Sequence, residues 1–310
     1  MRPSWRLPIA LACALTVAGC GASRSATTPA GPAIARTASS GPSHVVTIVQ
    51  ENTEYGDVIG NPKAPFVNAL ARRYGLATAS YGVRHPSLPN YLALTSGSTH
   101  GIDSDCYDCH VGARNVVDQL DQAGISWKAY LEGAPGPCYL GADVGRYAKR
   151  HNPFSYYDDV ARSPARCAKL VPLTQLAQDL RAGTLPTYVW ISPDVCDDTH
   201  DCPIDVGDRF LAGLVPRLLA HLGSHGLLIL TWDEGTTDAG CCAGAADGGR
   251  IATIVAGPDV RAGGRSDAPL DQFGVLRTTE TALGLPRLAQ ASDPRNGSLA
   301  GLFTRPPSAP

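Results

Sequence analysis

Several features are scarce or missing in this sequence, and each absence removes a class of function. There is no long run of lysine and arginine, and the formal net charge is −2, which argues against a nucleic-acid partner. The one long apolar run, Leu7 to Ala18, is too short to span a bilayer as a helix of the mature protein. No internal repeat is visible. Cys106-x-x-Cys109 has no second cysteine pair at zinc-finger spacing, which leaves zinc a weak rival to a disulfide there. The acid-rich loop of Asp197, Asp198, His200, Asp201, Asp205 and Asp208 does not match an EF-hand, and such loops are commonly just solvated. What remains is a chain of 310 residues, 44% apolar and 17% charged, ample for a substantial core.

The N-terminus reads as a targeting segment. Arg2 and Arg6 precede the apolar run, which closes Leu15-Thr16-Val17-Ala18-Gly19-Cys20. That ending resembles a bacterial lipobox, with Cys20 lipidated after cleavage; an ordinary secretory signal cleaved nearby is the alternative. Both export the protein. Residues 21–42 are Ala, Ser, Thr, Pro and Gly with two arginines, the composition of a flexible tether. Beyond Cys13 and Cys20 the eight cysteines are an even number, which in an exported chain favours disulfides, with Cys196–Cys202 a natural local bridge. The adjacent Cys241-Cys242 has no account at this level.

Strand and helix patterns alternate along the rest. His44 to Gln50 is a continuous apolar strand running into Glu51-Asn52, and Gly226 to Trp232 repeats this, running into Asp233-Glu234. Further strands are expected over 76–83, 125–131, 187–192 and 251–256. Helices are expected through Phe66, Leu70 and Tyr74, and over 116–123, 173–182, 207–222 and 270–283. The alternation predicts an α/β fold with a mainly parallel central sheet flanked by helices. A long irregular stretch, 132–172, carries His151-Asn152-Pro153-Phe154; an isolated histidine there is more often structural than functional.

The densest chemistry lies in Arg84-His85-Pro86-Ser87-Leu88-Pro89-Asn90-Tyr91, a turn and then a short helix stopped by Gly97. Ser87 is expected at the N-cap, beside free N–H donors and the positive dipole end that suit a phosphate. Alone, this reads as a capping serine. In a parallel sheet, however, loops after several strands gather at one edge, where Glu51, Asn52, Ser87, Asp233 and Glu234 can converge. Two or three carboxylates and an amide oxygen suit a hard divalent cation, which would activate the Ser87 hydroxyl; the Asn90 amide is expected to steady a transferring phosphoryl group.

Glu51-Asn52, the block 85–94, His151-Asn152-Pro153-Phe154, Thr199-His200-Asp201 and Thr231-Trp232-Asp233-Glu234 occur in one order. Together they resemble the bacterial phosphoesterase family of secreted acid phosphatases and phospholipases C, within the alkaline-phosphatase-like superfamily, and most of all its short single-domain acid phosphatases. The likeness covers about residues 43–288. It implies an alkaline-phosphatase-like fold, with the catalytic domain over 43–303; from composition, the signal peptide with lipobox occupies 1–20 and the Pro-rich tail over 304–310 is expected to be disordered. It implies that Glu51, Asn52, Asp233 and Glu234 hold one divalent metal ion (Ca, Mg or Zn) and that Ser87 is the nucleophile. His151 and His200 would assist phosphate binding or protonate the leaving group, and His85 belongs to the motif. Arg250 and Gln272-Phe273 stand where relatives often carry histidines, which speaks against a second metal.

The expected function is an exported metal-dependent phosphomonoesterase of acid-phosphatase type. Its partners would be a phosphorylated small molecule or phosphoinositide as substrate, and the membrane through a lipid anchor at Cys20. It would lie outside the cytoplasm, lipid-anchored or secreted. A phospholipase C acting on lipid phosphodiesters is the alternative within the enzyme class. A catalytically inactive, lipid-anchored protein that binds phosphate or phospholipid is the alternative outside it.

Overall fold

A computed structural model describes residues 43–243 and 246–305; the signal peptide, Cys20 and tether expected over 1–42, and the tail beyond 305, lie outside the described residues. The elements run β1 (Val45–Gln50), α1 (Tyr55–Val58), α2 (Pro65–Arg73), β2 (Gly75–Tyr81), α3 (Ser87–Ser96), α4 (Val116–Gln122) and β3 (Trp127–Leu131). Then come α5 (Asp158–Ala161), α6 (Pro164–Cys167), β4 (Leu170–Pro172), α7 (Thr174–Ala182), β5 (Tyr188–Ser192) and α8 (Ile204–Leu219). The last are β6 (Leu227–Trp232), β7 (Arg250–Ala256), β8 (Arg265–Ser266), β9 (Leu270–Asp271) and α9 (Gln272–Ala282). Every strand and long helix read from the sequence is present, with ends displaced by at most three residues.

The nine strands form one sheet in the order β4-β3-β5-β1-β6-β7-β2-β8, with β9 beside β2. β7 runs antiparallel to β6 and β2, and the other pairings are parallel. β1 lies between β5 and β6, and all six of its residues are buried. Side chains on both faces of a central strand must find apolar cover, which is why Val45, Val46, Ile48 and Val49 alternate with little polar relief. Burial of each contributes about 1.5–3 kcal/mol. Helices supply that cover: α2 packs with α8, and α3 with α9.

All ten residues of α3 are buried, so this helix is held by packing rather than by amphipathic contact with water. Gly97, at φ 72°, ends it in the left-handed conformation that glycine adopts without strain. Its start differs from expectation. Pro86 is the N-cap and Ser87 the first helical residue, and no side chain caps the helix from that position. The Ser87 hydroxyl is therefore not used as a cap.

The four cysteine pairs are bridged as Cys106–Cys109, Cys138–Cys167, Cys196–Cys202 and Cys241–Cys242. Disulfide wins over zinc at Cys106 and Cys109, and the adjacent pair bonds to itself. The stretch 132–172 is built from short turns of helix and ends in the small strand β4, which sequence periodicity does not show.

Candidate active site

Because β1, β2, β3, β5 and β6 run in one direction, the loops after them meet at one edge of the sheet. β1 delivers Glu51 and Asn52, and β6 delivers Asp233 and Glu234. The turn after β2 delivers His85 and Ser87. The loop after β5, closed by the Cys196–Cys202 bridge, delivers Asp198 and His200.

Ser87 is buried, and its Oγ donates to Glu51 Oε2 at 2.9 Å, with Glu234 Oε1 at 3.4 Å. The other oxygen of Glu51 accepts from the Tyr91 hydroxyl. Tyr91 lies one helical turn beyond Ser87 and stacks on His151, with ring centroids 5.4 Å apart and planes 2° from parallel. His151 Nε2 stands 3.3 Å from Glu51 Oε1, and Nδ1 stands 3.0 Å from Asp198 Oδ2. Neither contact is aligned as a hydrogen bond, so both ring nitrogens and that Asp198 oxygen are buried without partners.

Asn52 turns the chain at the end of β1 with φ 49°, and its N–H donates to Asp233 Oδ1 at 3.1 Å. Asp233 Oδ1 also accepts from the Glu234 N–H at 2.6 Å, while Oδ2 is buried without a partner. His85 Nε2 is 3.2 Å from the Thr237 carbonyl, to which it donates, and Nδ1 is hydrogen-bonded to the Glu234 carboxyl.

Burial of four carboxylates together raises the pKa of each. Burial lifts Glu51 well above the ordinary range, helped by Asp233 and Asp198. Burial likewise lifts Asp198, pushes Asp233 up to about 6, and with Asp233 and Asp105 nearby pushes Glu234 up to about 9. Burial, followed by the Arg150 and His200 charges, holds His151 well below its usual value and therefore neutral. Clustered carboxylates and a neutral imidazole with one free lone pair form a donor set that a hard divalent cation satisfies. Donor atoms of Glu51, His151 and Asp198 all lie within 4.8 Å of one another.

The sheet edge thus brings together Glu51, Asn52, Ser87, His85, His151, Asp233 and Glu234, with His200 beside them: its ring centroid is 5.9 Å from that of His151. Asn90 has a different use. Its Oδ1 accepts from the Val83 and Arg84 N–H groups, both at 2.9 Å. Its Nδ2 donates to the Arg84 carbonyl at 2.7 Å and the Pro86 carbonyl at 3.3 Å. Fully bonded in this way, the amide fixes the turn that presents Ser87 and has no donor left for a phosphoryl group. Arg250 and Gln272 are also structural: the guanidinium lies 4.0 Å over the Tyr55 ring and donates to the Thr78 carbonyl, and Gln272 donates to the Asp233 carbonyl.

Four participants escape the sequence reading. Asp198 looked like one acid in a solvated loop, but the local bridge folds it inward. Tyr91 was visible only as an apolar helix residue, although its spacing of four from Ser87 puts both on one face. Asp105, beside Cys106, accepts from the Leu88 N–H at 2.9 Å, and Arg150 sits next to His151. Neither carries a sequence signal of its own. In a second acid group, Glu132, Asp194 and Asp197, the Glu132 carboxylate accepts from the Asp194 N–H and the Asp194 carboxylate from the Cys196 and Asp197 N–H groups.

The model of the Phosphoesterase family matches residues 61–286. A phosphatidylinositol-3-phosphatase of Mycobacterium tuberculosis is 31% identical over 81% of this chain and 80% of its own length. An acid phosphatase of Aspergillus fumigatus is 29% identical over 77% of this chain, and one of Aspergillus niger 30% over 79%. The matched region spans a little over half of those fungal proteins, 54% and 59%. Among solved structures, an alkaline-phosphatase-superfamily protein of Vibrio parahaemolyticus shares the fold at 13% identity, with TM-score 0.53 over 81% of this chain and 67% of its own. The lipoteichoic acid synthase of Listeria monocytogenes does so at 10% identity, with TM-score 0.53 over 87% and 74%. The α/β sheet has the alkaline-phosphatase-like architecture, and the chain belongs to the phosphoesterase family and is a phosphoric ester hydrolase.

Proposed function

We propose that this chain is an exported, metal-dependent phosphomonoesterase of acid-phosphatase type that works through a phosphoserine on Ser87. The observation that carries the reading is the Ser87 hydroxyl, buried at the first position of α3 and donating to Glu51 and Glu234 instead of capping the helix. Either carboxylate, in its ionised form, is within reach to take the hydroxyl proton. The freed Oγ attacks phosphorus, a P–O ester bond breaks, and the departing alkoxide takes a proton from a histidine, for which His200 in its protonated form is the candidate; His151, held neutral, would assist phosphate binding instead. Water then attacks the phosphoserine and releases inorganic phosphate, restoring the hydroxyl. Glu51, Asp233, Glu234 and the Asn52 side chain would hold the divalent cation, with Asp198 and His151 beside them. When bound, the cation would lower the hydroxyl pKa and offset phosphate charge. His85 orients Glu234, and Asn90 positions the turn.

Four disulfides support export to an oxidising compartment. Among the described residues no helix is long and apolar enough to cross a membrane, so membrane contact would come from a lipid on Cys20 at the end of a signal peptide over 1–20. The catalytic domain over 43–303 would stand on the 21–42 tether. The Mycobacterium tuberculosis relative, a phosphatidylinositol-3-phosphatase by name, favours a phosphoinositide monoester among the candidate substrates and a monoester over a lipid phosphodiester. The test is aryl monophosphate turnover across pH 4–9, with and without chelator, beside Ser87→Ala. The reading predicts that chelation and the substitution each abolish turnover. A Ser87→Ala variant that binds metal normally and keeps more than a few per cent of turnover removes Ser87 as nucleophile.

A further inference from the structure

We propose that Arg150 is a ligand for the substrate's phosphoryl group, held in reserve by Asp105 and Asp143. The proposal rests on the phosphomonoesterase reading and adds a residue to it.

Arg150 has only 15% of its side chain exposed and stands where three segments meet. Its Nη1 donates to Asp143 Oδ2 at 3.0 Å, and its Nε is 3.5 Å from Asp105 Oδ2. Its Nη2 is 3.3 Å from His200 Nε2, while His200 Nδ1 is 2.7 Å from Asp201 Oδ1. That arrangement makes Nδ1 the ring's donor and Nε2 the acceptor for Arg150. Glu51 is the foremost of the acids favouring the Arg150 charge, so the guanidinium lies in the field of the carboxylate that Ser87 touches. Among the described residues, no other lysine or arginine reaches Asp105 or His200.

The decisive contact belongs to Asp105. One carboxylate oxygen accepts from the Leu88 N–H at 2.9 Å, one residue beyond Ser87, and the other faces Arg150. A carboxylate that bridges a helix N-terminal amide and a guanidinium occupies the partners that two phosphate oxygens would take. The Cys106–Cys109 bridge adjoins Asp105, and Tyr107 between those cysteines donates to Asp143 at 2.9 Å. One stapled loop therefore supplies Asp105 and steadies Asp143.

Charge balance gives the arrangement its purpose. A phosphomonoester approaching Ser87 meets Glu51, Asp198, Asp233, Glu234 and Asp105. A divalent cation offsets part of that charge; a planar guanidinium that fits phosphate bidentately would offset more. With phosphate present, Arg150 exchanges Asp105 for the phosphoryl oxygens, and the same movement uncovers Nε2 of His200.

The test is inorganic phosphate binding by calorimetry to the metal-replete full chain, so that it does not depend on turnover. A charged hydrogen bond is worth about 1.5–3 kcal/mol, so Arg150→Ala should weaken phosphate binding about 10- to 150-fold. Arg150→Lys should lose less, and added guanidinium ion should restore part of the loss in Arg150→Ala. Asp105→Asn should tighten phosphate binding several-fold by removing the internal competitor. With aryl monophosphate, the Arg150 variants should show a KM increase larger than the kcat decrease. Unaltered metal affinity and thermal midpoint would establish that the variants fold, and Arg150→Lys carries the test if Arg150→Ala does not. Phosphate affinity unchanged within twofold in Arg150→Ala overturns the proposal, as does Asp105→Asn weakening phosphate as much as Arg150→Ala. Failure of the phosphomonoesterase reading shows separately, as turnover that survives in Ser87→Ala.

Discussion

Asp271→Asn should remove a pH-dependent cost built into the fold. Asp271 is the N-cap of α9, the helix that packs on α3, and its Oδ1 accepts from the Gly274 N–H at 3.1 Å. Its Oδ2 is buried without a partner, and burial pushes the carboxyl up to about 7. In the unfolded chain this group ionises near pH 4. Between about pH 4 and 7 the folded state therefore keeps a proton that the unfolded state has lost, and stability falls as pH rises through that window. The gap from the ordinary value of 3.8 to about 7, at 1.36 kcal/mol per pH unit, sets a ceiling of about 4 kcal/mol. Asparagine keeps the cap and has no charge to bury. Urea unfolding with disulfides intact should find variant and wild type within about 1 kcal/mol at pH 4. At pH 8 the variant should be more stable by up to about 4 kcal/mol, roughly 8 °C in Tm. A variant equal to or less stable than wild type at pH 8 would mean that the folded protein holds this carboxylate ionised without penalty, and the reasoning fails.

Asp198→Asn should reduce divalent-cation affinity about 10-fold or more, measured by calorimetry, because the lost charge is buried among the other donors. Replacing Cys196 and Cys202 together by serine opens the six-residue loop that carries Asp198 and His200. Unfolding should show a loss of about 2 kcal/mol from loop closure, and cation affinity should fall with it. Asn90→Ala strands two N–H groups and two carbonyls in the turn before Ser87. It should cost at least about 2 kcal/mol in denaturant unfolding and lower kcat more than KM, since it disturbs placement rather than binding.

Long apolar strands ending in polar residues were the readable part of this fold. Thr47 apart, β1 from Val45 to Val49 is apolar, and β6 is as continuous, so their place at the sheet centre and the acids at their ends follow from hydropathy. Direction was less legible: β7 looks like any other buried strand, and only its pairing shows that it runs against the rest. Short strands such as β8 and β9 have two residues each, too few for any period. At the site, motif order located Ser87 and the acids, but side-chain use depends on partners. Ser87 resembled a cap because Pro86 gives no sign in sequence of taking that role. Asn90 resembled a phosphate donor because its four backbone partners form only once the turn folds. Asp198 was hidden because a solvated acid and a bridge-folded one look identical in sequence.

The proposed mechanism turns on a covalent phosphoryl group on Ser87. Metal-replete protein mixed with an aryl monophosphate, quenched in acid within the first turnover and digested, should yield the Ser87 peptide carrying one phosphoryl group, in step with a burst of the released phenol. The Ser87→Ala protein should show neither. A burst-free wild type with an unmodified Ser87 peptide, turning over at full rate, would mean that water attacks the ester directly and that Ser87 is not the nucleophile.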